Sequence, residues 1–103
     1  MPSTRILRAA VVGPAEVELF PSPDEPAYPD ANIFVPVLIN ETLETLLFHS
    51  DAEGFVSLAS ALDGAEDAPE GRTAEGIEEE YGAVDYTLAT HAAYAAYRDK
   101  IKR

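Results

Sequence analysis

The stretch "NIFVPVLINETLETLLFHS", residues 32–50, decides the fold of this chain. Its first half, residues 32–40, is the most apolar run and is rich in β-branched residues, which favours a buried strand. Its second half carries leucines at helical spacing, but the run is short for a helix. Two strands of equal length, 33–39 and 43–49, with a turn at residues 40–42, explain both halves, so we predict an antiparallel hairpin. Pro36 has no N–H to donate, and its position should therefore face a sheet edge or a bulge.

Two further strands are predicted on the N-terminal side, over residues 5–12 and 15–20. In "AEVELF" acidic and apolar residues alternate, which is typical of a half-buried strand. Gly13 and Pro14 form a turn signal between the two runs, so we expect these strands to pair as a hairpin. The next ten residues, 21–30, contain four prolines and predict an extended connecting loop.

The residues after the hairpin match a helix start. Ser50 and Glu53 have the spacing of a capping box, in which each side chain hydrogen-bonds the other residue's backbone N–H. The following segment, "AEGFVSLASAL", has apolar residues at i, i+3, i+4 and i+7, which predicts a helix over residues 52–62. On this interpretation Ser50 and its neighbour His49 are structural rather than catalytic.

The last third of the chain predicts two more helices after a polar loop at residues 63–72. Thr73 should cap a short helix over "AEGIEEEYG", and Asp85 should cap a longer helix that ends in basic residues. The expected fold is α+β: a small antiparallel sheet of about four strands with two or three helices packed on one face. A length of 103 residues suits one small acidic domain, residues 1–103.

Composition excludes several classes of function. The formal net charge of −12 disfavours direct binding to nucleic acid or to anionic membranes, because both need clustered lysine and arginine. No apolar run is long enough to span a membrane, and the absence of cysteine excludes disulfides and thiolate sites. We expect a cytoplasmic protein with no membrane association.

The acidic residues are concentrated in one segment. Residues 51–85 hold eleven acids and a single base, Arg72, for a formal charge of −10, which leaves −2 for the rest of the chain. A field of one sign steers a partner of opposite charge, so we predict a basic protein partner and a non-catalytic role as an antitoxin or immunity protein, an inhibitor or a phosphate mimic. A solvated surface that serves only solubility is the other interpretation. The predicted binding residues are Glu66, Asp67, Glu70, Glu75, Glu78, Glu79, Glu80 and Tyr94.

Two other classes of function stay open. A homo-oligomeric structural or accessory subunit would use the tyrosines of the last helix, because tyrosine is favoured at interfaces. A small enzyme would need a pocket containing His49 or His91, and His91 lies on one helix stripe with Tyr94 and Arg98. The histidines are far apart in sequence and no metal, nucleophile-elbow or phosphate-loop motif occurs, so we predict no catalytic residue, no metal site and no cofactor.

Overall fold

The computed structural model describes residues 6–20 and 28–102, and the predicted loop at residues 21–30 lies mostly outside them. The elements in chain order are β1 (Leu7–Arg8), β2 (Ala10–Val11), β3 (Glu16–Phe20), β4 (Asp30–Ile39), β5 (Thr42–Ser50), β6 (Val56–Leu58), a 3-10 helix (Ala61–Asp63), α1 (Ala74–Tyr81), β7 (Val84–Asp85) and α2 (Thr87–Ile101). The fold is α+β, with an antiparallel main sheet and two α-helices, as the sequence predicts.

The central hairpin is confirmed. Strands β4 and β5 pair antiparallel over eight residue pairs, from Asn32 opposite His49 to Ile39 opposite Thr42. Only Asn40 and Glu41 lie between the strands, and both have positive φ angles, 50° and 67°. Positive φ at both central residues is the type I′ conformation, whose twist matches that of the flanking strands. The turn is therefore one residue tighter than predicted.

The predicted N-terminal hairpin is wrong. Strands β2 and β3 do not pair with each other; each pairs antiparallel with β4, at Val37–Leu38 and at residues 30–34. Gly13 and Pro14 bend the chain along the same edge instead of reversing it. The Val12 N–H donates to the Pro36 carbonyl at 3.0 Å, so Pro36 faces the interruption between β2 and β3. Its missing N–H is thus accommodated at a break in the ladder, as its lack of a donor predicts.

The predicted helix over residues 52–62 is also wrong. The Asp51 carboxylate, and not the Ser50 hydroxyl, accepts the backbone N–H groups, from Glu53 at 2.9 Å and from Phe55 at 3.0 Å. Gly54 has φ 86°, and the chain turns back so that β6 pairs antiparallel with β5. Ser50 is buried and donates to the carbonyl of Pro29 at 3.1 Å, so its role is structural through a different contact.

One face of the sheet, which we call the inner face, packs against α2. Alternate residues of β4 and β5 are fully buried there, including Ile33, Val35, Leu46 and Phe48. Tyr97 of α2 is also fully buried, and its hydroxyl donates to the Pro29 carbonyl at 2.7 Å. The long helix therefore covers the inner face, and none of the helices in residues 6–20 and 28–102 supplies a residue to the groove on the opposite, outer face.

The shorter helix α1 begins where the sequence predicts. The Thr73 hydroxyl accepts from the Gly76 N–H at 3.2 Å, and Ile77 contributes a fully buried side chain to the core. Beyond it, β7 pairs in parallel with β1, an arrangement that the sequence did not predict. The predicted cap of α2 is wrong by one residue, because the N-cap is Tyr86, which makes no side-chain cap bond. Asp85 lies in β7, and its carboxylate accepts from the Thr87 N–H at 2.9 Å. Within the described ranges no helix is long and apolar enough to cross a membrane.

Candidate functional site

A groove of about 780 Å³ lies on the outer face of the sheet. Its floor comes from alternate residues of β4 and β5, because successive side chains of a strand point to opposite faces. The apolar part of the floor is formed by Phe34, Pro36 and Leu47, all half-buried. The polar part is formed by Asn32 and Thr45. A volume of this size is within the usual range of ligand sites.

One side of the groove is a tight turn from the predicted polar loop. Ala68 and Gly71 exchange two backbone hydrogen bonds, of 3.0 and 3.1 Å, which leaves Pro69 and Glu70 at the tip. Gly71 is buried against the floor, where a Cβ added to it would come within 2.9 Å of the Phe34 ring. Glycine is therefore required for the turn to lie this close to the sheet.

Carboxylates line both sides of the groove. Glu16 and Glu18, on β3, lie on one side and Glu70, at the tip of the turn, lies on the other. All three residues are exposed, and none makes an ion pair with another residue in the described ranges. The groove thus combines a half-buried apolar floor with negatively charged walls.

A second group of acids, the Arg72 cluster, lies on the inner-face side of the sheet. The Arg72 guanidinium contacts Glu44 at 3.1 Å, Glu80 at 3.2 Å and Asp67 at 3.4 Å. It also donates to the Gly76 carbonyl at 3.0 Å. The backbone of Arg72 bonds to β5 on both sides, donating to Thr45 and accepting from Leu47. The cluster joins the loop, α1 and β5.

Two pKa shifts reflect this cluster. Hydrogen bonds from the Thr73 backbone N–H and hydroxyl, with help from Arg72, lower the pKa of Asp67. The Tyr81 hydroxyl donates to the Glu44 carboxylate, and this bond raises the pKa of Tyr81 to about 12. At neutral pH Asp67 is therefore ionised and Tyr81 is protonated, which are the states that their hydrogen bonds in the cluster require.

The predicted binding acids do not share one environment. All seven are exposed residues: Glu66, Asp67, Glu70, Glu75, Glu78, Glu79 and Glu80. Asp67 and Glu80 belong to the Arg72 cluster, whereas Glu70 lines the groove. Hydrogen bonds with its own backbone N–H and with Ser60 lower the pKa of Glu75. Glu78 and Glu79 are exposed on α1 and are not among the acids that Arg72 contacts.

The predicted tyrosine anchor is engaged within the chain. Tyr94 is 38% exposed, and the Arg98 guanidinium lies 5.4 Å from the centre of its ring. The same guanidinium lies 5.5 Å from the Tyr28 ring, which in turn packs where a Cβ on Gly54 would be. Such cation–π contacts fix the position of the exposed ring. The exposed part of Tyr94 is therefore held in place by Arg98, and the two side chains form one surface.

An exposed apolar pair marks the tip of the hairpin. Leu38 and Leu43 lie directly opposite each other on the outer face and are 39% and 65% exposed. Val12, next to the neighbouring strand β2, is 48% exposed. These side chains lie beside the Pro36 end of the groove and enlarge the apolar surface of the outer face.

The histidines lie outside the groove. His49 is half-buried on the outer face, opposite Asn32 and Ser57, and His91 is exposed on α2. Neither is among the described residues that line the groove. Among residues 6–20 and 28–102, no group of three or more histidine, aspartate or glutamate side chains is placed to hold a metal ion.

Sequence reasoning missed Glu16 and Glu18 as site residues. The signal was present, because the alternation in β3 places both carboxylates on the face opposite to Val17 and Leu19. Their relation to Glu70 depends on tertiary structure and leaves no local pattern. No protein-family model, curated protein or solved structure matches this chain.

Proposed function

We propose that the protein is a non-catalytic module that binds a basic protein partner through its acidic surface. The observation that carries the proposal is the imbalance around Arg72, the single base of residues 51–85. Arg72 contacts two acids of this segment and Glu44. Most of the acids, among them Glu78 and Glu79, therefore keep their charge available to a partner.

The distribution of charge favours binding over solubility alone. Acids placed for solubility would serve as well if they were spread evenly, whereas −10 of the total −12 is found in residues 51–85. An uncompensated field of one sign acts before contact and raises the association rate of a cationic surface. A partner that itself binds phosphates would present such a surface, which fits an antitoxin or immunity protein, an inhibitor or a phosphate mimic.

The test is reversal of Glu78 and Glu79 to lysine. Glu80 is left unchanged because it contacts Arg72, and its loss would alter the cluster as well. The matched control reverses Glu41 and Asp30, two exposed acids outside residues 51–85, and gives the same net charge. Each protein is immobilised and used to capture partners from lysate of the source organism at about 50 mM and 500 mM salt.

We expect the wild-type protein and the control to retain basic proteins that high salt releases, because the Debye length is then only a few ångströms. The Glu78→Lys, Glu79→Lys variant should retain much less of them and associate more slowly with the purified partner. The proposal would be contradicted if the retained proteins were not predominantly basic, or if all three immobilised proteins retained them equally.

A homo-oligomeric accessory subunit is a second candidate, and the exposed pair Leu38 and Leu43 favours it. Contiguous exposed apolar side chains are common where copies associate. This candidate predicts an oligomer that persists at high salt and dissociates when Leu43 is changed to lysine. Light scattering at both salt concentrations distinguishes it from a monomer that binds a basic partner.

A further inference from the structure

The floor of the outer-face groove is an apolar surface that no helix of the described chain covers. Phe34, Pro36 and Leu47 are half-buried there, whereas the inner face of the same strands is sealed by α2. Polar side chains are usual on an open sheet face, since one face is packed and the other is solvated. Apolar side chains at the bottom of an open groove therefore indicate a surface that gains stability from being covered.

The walls of the groove determine the charge of what covers it. Glu18 on β3 and Glu70 on the turn approach the floor from opposite sides, and neither is paired with a base within the described ranges. A cationic occupant would neutralise both walls, while an anionic one would be repelled from both. The Arg72 guanidinium is directed to Glu44 on the other face of the sheet and supplies no counter-charge here.

The spacing of the carboxylates suits an extended occupant. Glu16 and Glu18 are two residues apart on one strand, which places their Cα atoms roughly 7 Å apart on the same face. Alternate residues of an extended peptide have the same repeat. Lysine and arginine also have apolar stems that can lie on Phe34 and Leu47 while their charged ends reach the walls.

We propose that this groove holds an extended segment of the basic partner, with lysine or arginine at alternate positions. The assignment rests on the proposed function and adds a contact site to it. The acids of α1 attract a whole basic partner before contact, whereas the groove holds one short segment of it, so a short peptide should depend on the groove acids and little on those of α1. The floor runs along β4 from Asn32 to Pro36, which is about 13 Å and accommodates roughly four extended residues.

The test uses a defined probe, the capped peptide acetyl-VKVKVKV-amide, and the full-length ¹⁵N-labelled protein. Backbone amide shifts are followed during titration at about 50 mM and 500 mM salt. A peptide with glutamate in place of lysine controls for charge. A peptide of the same composition with its three lysines adjacent controls for spacing.

Two double variants locate the binding. The groove variant is Glu18→Gln with Glu70→Gln, and the matched control is Glu78→Gln with Glu79→Gln on α1. Glu16 is not used, because it also lines a second depression that contains Lys100. All four substituted residues are exposed, so each variant should keep the native fold, which the unperturbed amide spectrum checks.

We expect salt-sensitive shifts concentrated at residues 16–18, 32–36, 45–47 and 68–71. The groove variant should weaken binding about tenfold, as the loss of two charge pairs implies, and the control should change it by less than about twofold. The peptide with adjacent lysines should bind more weakly, and the glutamate peptide should not bind.

Two outcomes would overturn the groove assignment, and they differ in what they say of the proposed function. Shifts concentrated on α1 and weakened only by the Glu78, Glu79 variant would move the site and leave a basic partner in place. No binding of the lysine peptide at either salt concentration would remove the groove, and the independent lysate capture would then decide the proposed function by itself.

Discussion

The Arg72 cluster and the outer-face groove place the same type of residue in two different environments. In the cluster, Glu44 is largely buried, with 11% of its side chain exposed, and it is bonded to both Arg72 and Tyr81. In the groove, Glu18 and Glu70 are exposed beside an apolar floor and have no ion-pair partner in the described ranges. Formal charge alone therefore does not show which acids are available to a partner. What matters is whether the fold has already supplied the counter-charge.

The largest effect on stability is expected from Arg72→Met. This change leaves the carboxylates of Glu44, Asp67 and Glu80 close together without a cation, one of them largely buried. The free energy of unfolding should fall by about 2 to 3 kcal/mol. Urea denaturation measures it, with Lys102→Met as a control of equal charge change at an exposed site. Equal losses in both variants would mean that the cluster does not hold the fold.

Glu44→Gln and Glu18→Gln form a matched pair that compares the two groups of acids directly. The first variant weakens two hydrogen bonds in the cluster and should cost about 1.5 kcal/mol of unfolding free energy. The second changes an exposed residue and should stay within about 0.5 kcal/mol. If both variants lost a similar free energy of unfolding in the same denaturant series, the cluster acids and the groove acids would not differ in their contribution to stability.

Replacing an acid that lies outside both groups should raise the free energy of unfolding instead of lowering it. Glu41 occupies the second position of the type I′ turn with φ 67°, a conformation that glycine adopts without strain. Glu41→Gly should therefore raise the free energy of unfolding by about 1 kcal/mol. Peptide binding in the groove should stay unchanged although the net charge changes by one unit. A destabilised variant in thermal unfolding would show that the turn conformation is not the one described.

The smallest effect is the pH dependence that Asp67 contributes. Its pKa in the folded state is lower than the ordinary value of 3.8, so at intermediate pH the unfolded chain binds more protons than the folded one. Its contribution to stability is then present above about pH 4 and is lost as the pH falls through the folded-state pKa. The stability difference between the wild-type protein and Asp67→Asn should shrink over that range, and a difference independent of pH would contradict it.

Local patterns predicted the parts of the fold that depend on neighbours in sequence. The β4–β5 hairpin follows from two apolar runs of equal length with a short turn, and the start of α1 follows from Thr73. The cap of α2 was predicted one residue too early, at Asp85 instead of Tyr86. The segment from residue 52 was predicted wrongly because its apolar residues fit the period of a helix as well as that of a strand. Phe55 and Leu62, which complete the helical stripe, are 64% and 98% exposed, whereas Val56 and Leu58 pack as strand residues.

Long-range pairing could not be predicted in the same way. A glycine–proline pair such as Gly13-Pro14 can reverse a chain or bend it, and only the presence of β4 as a shared partner decides between these. The groove has the same origin, since Glu18 and Glu70 are 52 positions apart in sequence and line opposite sides of it. The acidity of residues 51–85 was evident in the sequence, but its division between Arg72 and the solvent was not.

The most direct test of the division between the two groups is to observe the carboxylates themselves. Side-chain ¹³C resonances of glutamate and aspartate are recorded while acetyl-VKVKVKV-amide is added at low salt. The account predicts that the carboxyl signals of Glu16, Glu18 and Glu70 move together and saturate, while those of Glu44, Asp67 and Glu80 stay in place. The account would be contradicted if the carboxyl signals of the Arg72 cluster shifted while those of the groove carboxylates stayed in place.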